Sequence, residues 1–415
     1  MSEAWIIDAC RTPRGIGKQG KGALADIHPQ QLGASVLAAL RDRNELDTAA
    51  VDDIIFGTSM QVGPQGGDLA RMAALDAGYD IKASGVTIDR FCGSGITTTN
   101  MAAAAIAAGY EDVVIAGGCE MMSLHPMLGE IQLGVRGALM DAGNLRLRAQ
   151  HPQTHQGVAA DAIATLEGIS RQALDELAVE SQVRAARAIA EGRFERSLVP
   201  VYHEDGRLAL DREEFPRPGT TLEGLAKLGP SFEAMADVPL DDAGTTLRSM
   251  VLARYPGLDI EHVHHAGNSS GVVDGAAAIL YASPEAAKAR GWKPRARIVA
   301  MANIGDDPTL MLNAPVPAAL KVLARAGLRK EDIDVWEINE AFSVVAEKFQ
   351  RDLALDRDKV NINGGAMALG HPIAATGAML IGTALDELER TDGRYGLITM
   401  CAAGGMAPAV IIERI

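Results

Sequence analysis

The chain contains one series of strands and helices twice, and this repetition most restricts the folds it can adopt. Each copy is a run of short, β-rich apolar segments separated by amphipathic or alanine-rich helical segments. The first copy reads S-E-A-W-I-I-D-A-C, V-D-D-I-I-F-G, G-V-T-I-D-R-F-C-G-S-G and E-D-V-V-I-A-G-G; the second reads P-R-A-R-I-V-A-M-A-N-I-G, E-D-I-D-V-W-E-I-N-E-A-F, K-V-N-I-N-G-G-A-M and Y-G-L-I-T-M-C-A-A-G-G. Strands that alternate with helices predict mostly parallel sheets with helices on their faces, so we expect two similar α/β halves packed together.

The segment between the two copies predicts an insertion. From 123 to 246, loops rich in His, Gln and Arg surround one strong helical pattern from Ser170 to Glu191, with Ser170 as its expected N-cap. Long loops inside a compact protein usually carry function, so we expect this segment to cover the active site and supply much of the substrate pocket. The predicted division is an N-terminal half at 1–122 completed by about 247–285, an inserted loop domain at 123–246 and a C-terminal half at 286–415.

Cys92 lies at a predicted turn between a strand and a helix. The strand ends at Ile88, and the helix begins near Ile96 and stops at Gly109. A thiol at the N-terminus of a helix faces unpaired N–H groups and the positive end of the helix dipole, and both favour the thiolate. The sequence therefore indicates a nucleophile, while the alternative is a small buried apolar side chain.

Three segments of the second copy carry the other candidate groups. Asn339 follows a predicted buried strand, His371 lies among four glycines just before a predicted helix, and Cys401 follows another strand and precedes a glycine turn. Taken singly, each has a structural interpretation as a turn or packing residue. Ligands gather at the carboxyl ends of strands in such sheets, so the set indicates a catalytic site with a base and two thiols.

Composition excludes several classes of function. The formal net charge of -15 argues against nucleic acid or an anionic membrane as the partner, and no apolar run is long enough to span a bilayer. The four cysteines form no C-x-x-C pair, so we expect free thiols, no metal site and a cytoplasmic location.

Seven motifs, which follow one another along essentially the whole chain, make the sequence resemble the thiolase family. They are D-R-F-C-G-S-G, G-G-C-E-M-M-S, L-A-K-L-G-P-S-F, A-G-N-S-S-G-V-V-D-G-A-A, E-I-N-E-A-F, N-G-G-A-M-A-L-G-H-P and the Cys401 loop. The resemblance implies that Cys92 is acylated, that His371 is its base, and that Cys401 exchanges protons with the α-carbon of the substrate. It also implies that Asn339 holds a water which, with His371, binds the thioester oxygen. The N–H of Cys92 and the backbone of the loop at Ala403 and Gly404 would form a second oxyanion hole.

The resemblance also implies a fold, a cosubstrate and a partner. The fold would be a duplicated, five-layered αβαβα thiolase-like fold with an inserted loop domain, assembled as a homodimer or homotetramer. Coenzyme A would be the cosubstrate, acyl-CoA the substrate class, and no cofactor would be tightly bound. A channel for pantetheine and the acyl chain would be lined by His155, Phe232, Ala266, Ser270, Ala341 and Phe342.

Departures from the family pattern leave alternatives open. Ala374 and Ala403 stand where the family usually has Gly, and Ala403 does not readily adopt a positive φ. Gln156 stands where many biosynthetic members have Met, which favours degradative cleavage of a longer or bulkier 3-ketoacyl-CoA over synthesis of acetoacetyl-CoA. Two further alternatives are a condensing enzyme of the ketoacyl-synthase type, against which Cys401 argues, and a non-catalytic acyl-CoA or sterol carrier.

Overall fold

Strands of both halves join one mixed sheet in the computed structural model, which describes residues 3–124 and 140–415. Part of the predicted insertion, 125–139, lies outside the described residues. The strands are β1 Trp5–Arg11, β2 Gly15–Ile16, β3 Asp53–Gly57, β4 Val86–Ile88, β5 Val113–Met121, β6 Val201–Tyr202, β7 Leu208–Leu210, β8 Val273–Ala282, β9 Ala296–Gly305, β10 Val335–Ile338, β11 Tyr395–Thr399 and β12 Met406–Arg414. The large sheet has the order β10-β11-β12-β9-β1-β8-β5-β3-β4, and β6 pairs with β7 in a separate hairpin.

The two halves of this sheet repeat each other. From the centre outward, one half runs β1-β8-β5-β3-β4 and the other runs β9-β12-β11-β10. The directions also match, because β8 and β12 are each antiparallel to both neighbours, while β3 and β10 are parallel to theirs. The halves meet where β1 pairs with β9 through only two residue pairs.

Two predictions about the strands were wrong. The pairings among described strands of the large sheet are mostly antiparallel, since only β3–β4, β3–β5 and β10–β11 are parallel. The alternation of apolar segments with helices does not show whether the strand after a long connection runs parallel or antiparallel to its neighbour. The strand directions could therefore not be predicted from the pattern. The predicted strand K-V-N-I-N is reduced to one β-bridge, between Val360 and Trp336. In the second half this bridge takes the place that β4 has in the first half.

The helices are α1 Pro29–Arg43, α2 Leu69–Asp76, α3 Ser94–Ala108, α4 Leu145–Gln150, α5 Gln156–Leu166, α6 Arg171–Ala190, α7 Leu222–Leu225, α8 Glu233–Ala236, α9 Leu247–Arg254, α10 Pro284–Ala289, α11 Pro315–Ala326, α12 Ser343–Leu353, α13 Ala366–Leu369 and α14 Thr376–Thr391. Several ends agree with the sequence. The Ser170 side chain caps α6 by accepting from the Ala173 N–H, and Gly109 ends α3 in the left-handed conformation. No helix in the described ranges is long and apolar enough to cross a membrane.

Helices α3 and α14 form the middle layer of the fold. They pack against each other, and each contacts strands of both half-sheets. Their shared core includes Ile96, Ile106, Ile381, Leu385 and Ile398, all with essentially no exposed surface. Helices α1 and α2 cover the outer side of the first half-sheet, and α11 covers that of the second. Helix, sheet, helix, sheet and helix are therefore stacked in five layers, as the family resemblance implies.

Candidate active site

The packing of α3 on α14 places the two predicted catalytic turns together. Cys92 lies in a 3₁₀ turn, Phe91–Gly93, that leads into α3, and His371 lies just before the equivalent turn, Ile373–Ala375, that leads into α14. The two turns contact each other and lie at the same end of the middle layer. Cys92 and His371 therefore come from corresponding positions of the two halves.

Two glycines allow this close approach of the helices. A Cβ added at Gly377 would lie 2.3 Å from the backbone N of Ile96, and one added at Gly95 would lie 2.7 Å from the backbone N of Ala378. Real Cβ atoms essentially never come so close to another heavy atom. Both positions therefore require glycine for the first turns of α3 and α14 to cross as they do.

The backbone before Cys92 is held in an uncommon conformation. Phe91 has a φ of 49°, in the left-handed region that a bulky side chain rarely adopts. Its N–H donates to the Asp89 carboxylate at 2.7 Å, and its carbonyl accepts from the Ser94 hydroxyl at 2.7 Å. Such local strain persists only where neighbouring contacts enforce it, and it often occurs at functional turns.

His371 is buried and held at both ring nitrogens. Its Nδ1 lies 2.6 Å from the Thr376 hydroxyl oxygen, and Asn339 Nδ2 donates to its Nε2 at 3.4 Å. Because Nε2 accepts from the amide, the ring proton belongs on Nδ1. Burial, and secondarily the charge of Arg14, lower the pKa of His371 to about 3. At neutral pH the imidazole is therefore neutral, and the Nε2 electron pair is engaged by Asn339 at 3.4 Å, a distance too long for a strong hydrogen bond.

The third group, Cys401, lies in the loop from β11 to β12 on the other side of the Cys92 turn. A Cβ at Gly93 would lie 3.3 Å from the Cβ of Ala402 and 2.8 Å from the ring of Pro408, so the loop and the turn are in contact. Cys401 is also one of the causes that raise the pKa of Cys92. The structure thus brings both sulfurs and the imidazole to one region.

One expectation for the thiols was wrong. Burial, and then the charges of Cys401 and Glu120, raise the pKa of Cys92 well above its ordinary value. Burial likewise raises the pKa of Cys401 to about 12. The position at a helix N-terminus is outweighed because burial removes both thiols from water. Both thiols are therefore protonated at rest.

The Cys401 loop accommodates its unusual alanine without strain. The positive φ values fall on Gly404 at 79° and Gly405 at 76°, and Ala403 is not among the residues with a positive φ. Ala402 and Met406 form a β-bridge that closes the loop. The N–H of Ala403 is thus retained on a glycine-bearing turn, and its role in an oxyanion hole stays a prediction.

The end of β10 supplies a buried amide with unused hydrogen-bonding capacity. Asn339 is 1% exposed, and its Oδ1 has no partner among the described residues. A buried amide oxygen without a partner is costly and indicates that another molecule completes its hydrogen bonds. That this molecule is a water bound to the thioester oxygen stays a prediction.

An aromatic row connects most of the predicted channel residues. The rings of His155 and Phe232 are 5.6 Å apart, and those of Phe232 and Phe342 are 5.8 Å apart. The Ser270 N–H donates to the carbonyl of Ala341 at 2.9 Å, which joins the loop of Ser270 to the same place. Burial lowers the pKa of His155 to about 4, so this ring is neutral.

The remaining candidates for ligand contact are less enclosed. Ala266 lies on the Ser270 loop but is exposed. Two basic residues of the inserted segment, Arg217 and Lys227, are both exposed. The Arg217 guanidinium lies 5.4 Å from the centroid of the Phe215 ring.

Sequence reasoning missed two residues next to the base. Thr376 bonds His371 Nδ1, and Arg14 is a buried cation whose charge acts on the imidazole. The hydroxyl five residues after the histidine carries no pattern that distinguishes it from other N-terminal helix residues. Arg14 comes from the far end of the chain, so only the fold places it here.

Comparisons with known proteins cover nearly the whole chain. The model of the thiolase N-terminal domain matches residues 4–245, and that of the thiolase C-terminal domain matches residues 292–414. The chain is 40% identical to a steroid 3-ketoacyl-CoA thiolase, FadA6, of Mycobacterium tuberculosis, over 100% of this chain and 95% of the relative. It is 41% identical to a 3-oxoadipyl-CoA/3-oxo-5,6-dehydrosuberyl-CoA thiolase of Escherichia coli, over the full length of both. The solved acetyl-CoA acetyltransferase of Bacillus anthracis is 32% identical, with a TM-score of 0.83 over 100% of this chain and 99% of that one.

Proposed function

Because the chain belongs to the thiolase family, we propose that Cys92, His371 and Cys401 carry out its reaction on a longer or bulkier 3-ketoacyl-CoA. The enzyme is an acyltransferase that cleaves a 3-ketoacyl-CoA into acetyl-CoA and a shortened acyl-CoA. The contact between the turn that carries Cys92 and the turn that follows His371 supports this assignment of residues, and burial leaves the imidazole neutral and the thiol protonated.

The first half of the reaction needs a nucleophile and two proton carriers. His371 Nε2 takes the thiol proton as the Cys92 sulfur attacks the C3 carbonyl, which becomes an oxyanion. The oxyanion collapses, the bond between C2 and C3 breaks, and the electron pair leaves on C2 as the enolate of acetyl-CoA. Cys401 donates a proton to C2 and is left as a thiolate, while the acyl group stays on Cys92 as a thioester.

The second half returns the enzyme to its starting state. The thiol of coenzyme A gives its proton to the Cys401 thiolate, and its sulfur attacks the acyl carbon on Cys92. The thioester exchanges, Cys92 leaves as a thiolate, and His371 returns the proton it took. Coenzyme A is thus a cosubstrate, and each oxyanion donor would supply about 3 kcal/mol of transition-state stabilisation.

Purified protein with a series of 3-ketoacyl-CoA thioesters and coenzyme A tests this function. Loss of the enolate absorbance together with release of acetyl-CoA, fastest with a long or branched acyl chain, is the expected result. Tight binding of acyl-CoA without turnover would support the carrier alternative and contradict the proposal. The relatives named for steroid and 3-oxoadipyl substrates make those two thioesters informative members of the series.

Synthesis of acetoacetyl-CoA is a second candidate because acetyl-CoA acetyltransferases are also among the relatives. One of these, from Escherichia coli, is 38% identical over the full length of both chains. A higher rate with acetoacetyl-CoA than with any longer substrate would support this second candidate function. Such a profile would contradict the preference for bulkier chains.

Self-association and location complete the proposal. β4 ends the large sheet, so one edge of its backbone has no neighbouring strand among the described residues, and Val86 on it is 37% exposed. An open edge of this kind favours assembly as a homodimer or a dimer of dimers, which light scattering on purified protein would measure. The four cysteines are free thiols, which suits a reducing compartment such as the cytoplasm.

A further inference from the structure

A buried carboxylate near the end of β5, Glu120, is surrounded by hydrogen-bond donors. Its side chain is 1% exposed. Oε2 accepts from the Ser59 N–H at 2.9 Å, the Ser59 hydroxyl at 3.0 Å and the Ala374 N–H at 3.3 Å; Oε1 accepts from the Met60 N–H at 3.3 Å, the Gln65 amide at 3.2 Å and the Thr58 hydroxyl at 3.3 Å. Three of these partners are backbone N–H groups, which can only donate. Only an acceptor can fill the position without leaving one buried donor against another.

These bonds connect the turn that follows His371 to the loop that follows β3. Ala374 belongs to the 3₁₀ turn three residues after His371, whereas Ser59 and Met60 follow β3. A Cβ at Gly57, the last residue of β3, would lie 2.5 Å from the Cβ of Ser94 and 3.4 Å from that of Ala374. The loop held by Glu120 therefore lies against both the start of the Cys92 helix and the turn that follows His371.

We propose that Glu120 is a positioning residue for the thiolase reaction, because its carboxylate fixes the turn after His371 against the half of the molecule that carries Cys92. The inference rests on the proposed roles of those two residues. A carboxylate here also has an electrostatic effect on the nucleophile, since its charge contributes, after burial and Cys401, to the raised pKa of Cys92. Position and charge are separate effects, and different variants separate them.

Glu120→Gln and Glu120→Asp test the proposal on the full-length enzyme. The Gln amide would place an NH₂ against a backbone donor and displace the turn, so we expect kcat to fall about 100-fold with little change in KM, as for a misplacement of about 1 Å. Without the carboxylate charge, alkylation of Cys92 by iodoacetamide, followed on its peptide by mass spectrometry, should shift to lower pH. Glu120→Asp keeps the charge but is one methylene shorter, so kcat should fall while the alkylation profile stays in place.

Glu413→Gln is the matched control, because Glu413 on β12 is also buried and its side chain accepts from Arg297 and Arg394, away from both turns. We expect it to lose thermal stability but keep kcat and the alkylation profile. Should Glu120→Gln fail to fold, Glu120→Asp and Ser59→Ala carry the test, the latter with a loss of kcat of about tenfold for one hydrogen bond.

Two results would overturn the inference. One is a folded Glu120→Gln or Glu120→Asp enzyme with unchanged kcat. The other is an equal loss of kcat in Glu413→Gln and Glu120→Gln at an equal loss of thermal stability, with the Cys92 alkylation profile of Glu120→Gln unmoved. If the unchanged enzyme cleaves no 3-ketoacyl-CoA, the proposed function fails instead, and the alkylation profiles still measure the effect of Glu120 on Cys92.

Discussion

Gly377→Ala should increase the distance between Cys92 and His371 while leaving both side chains chemically unchanged. The added Cβ would lie 2.3 Å from the backbone N of Ile96, and ordinary van der Waals contact begins at 3.4 Å. The difference requires the first turns of α3 and α14 to move apart by about 1 Å, since both atoms are held by helical backbone rather than by flexible side chains. A displacement of about 1 Å between reacting groups costs about 100-fold in rate, so kcat should fall by that factor.

The same helix provides the control for this experiment. A Cβ at Gly382 would meet only the Cβ of Ala9, at 3.6 Å, so Gly382→Ala fits without displacement. It should raise the free energy of unfolding by about 0.5–1 kcal/mol, the usual gain of Ala over Gly inside a helix, and leave turnover unchanged. Gly377→Ala should lower the free energy of unfolding by about 1–3 kcal/mol through overpacking.

Steady-state cleavage of a 3-ketoacyl-CoA and denaturant unfolding measure both effects. Folded Gly377→Ala enzyme with the turnover of the unchanged protein would refute the argument that the helix crossing sets the distance between Cys92 and His371. A loss of turnover in Gly382→Ala of similar size would also refute it, because the effect would then belong to any substitution in α14.

Three further predictions concern the reacting groups. Cys92→Ser should abolish the acyl-enzyme seen by mass spectrometry, whereas Cys401→Ala should still accept an acyl group from a thioester but no longer cleave the carbon–carbon bond; intact cleavage in Cys401→Ala would show that its assigned role is wrong. Thr376→Val leaves His371 Nδ1 without its partner at 2.6 Å, so kcat should fall about tenfold with KM unchanged, and a changed KM alone would contradict a positioning role. Burial lowers the pKa of His371 to about 3 and the pKa of His155 to about 4. Below pH 6.5, the ordinary pKa of histidine, the unfolded chain therefore binds more protons than the folded protein. The free energy of unfolding should accordingly fall as the pH drops below 6.5. Urea titrations between pH 7 and pH 4 should show a smaller fall in His155→Gln than in the unchanged protein.

Local signals in the sequence predicted element ends well, because the residues that determine them lie within a few positions. Ser170 caps α6, and Gly109 and Gly327 end α3 and α11 in the left-handed conformation that glycine adopts without cost. The placement of Cys92 before a helix and of Asn339 after a strand follows from the same short-range chemistry. Membership of the thiolase family and its layered α/β fold are confirmed on this basis.

Properties that depend on distant partners were not predictable in the same way. The thiolate state expected for Cys92 assumed an exposed helix end, but the second half of the chain buries it and reverses the direction of its pKa shift. The antiparallel return of β8 to β5 follows an inserted segment whose path no local pattern describes. The partners of Glu120 come from two loops about 60 and 250 residues away, so its six donors could not be counted from sequence.

The pairing of β1 with β9 has a consequence for how the catalytic side chains are distributed between the two halves. These strands join two copies of one unit, and the proposed catalytic groups are divided between the copies: Cys92 comes from the first, whereas His371, Asn339 and Cys401 come from the second. Neither copy alone holds both Cys92 and His371. Separating β1 from β9 should therefore abolish the activity, even if each half remained folded.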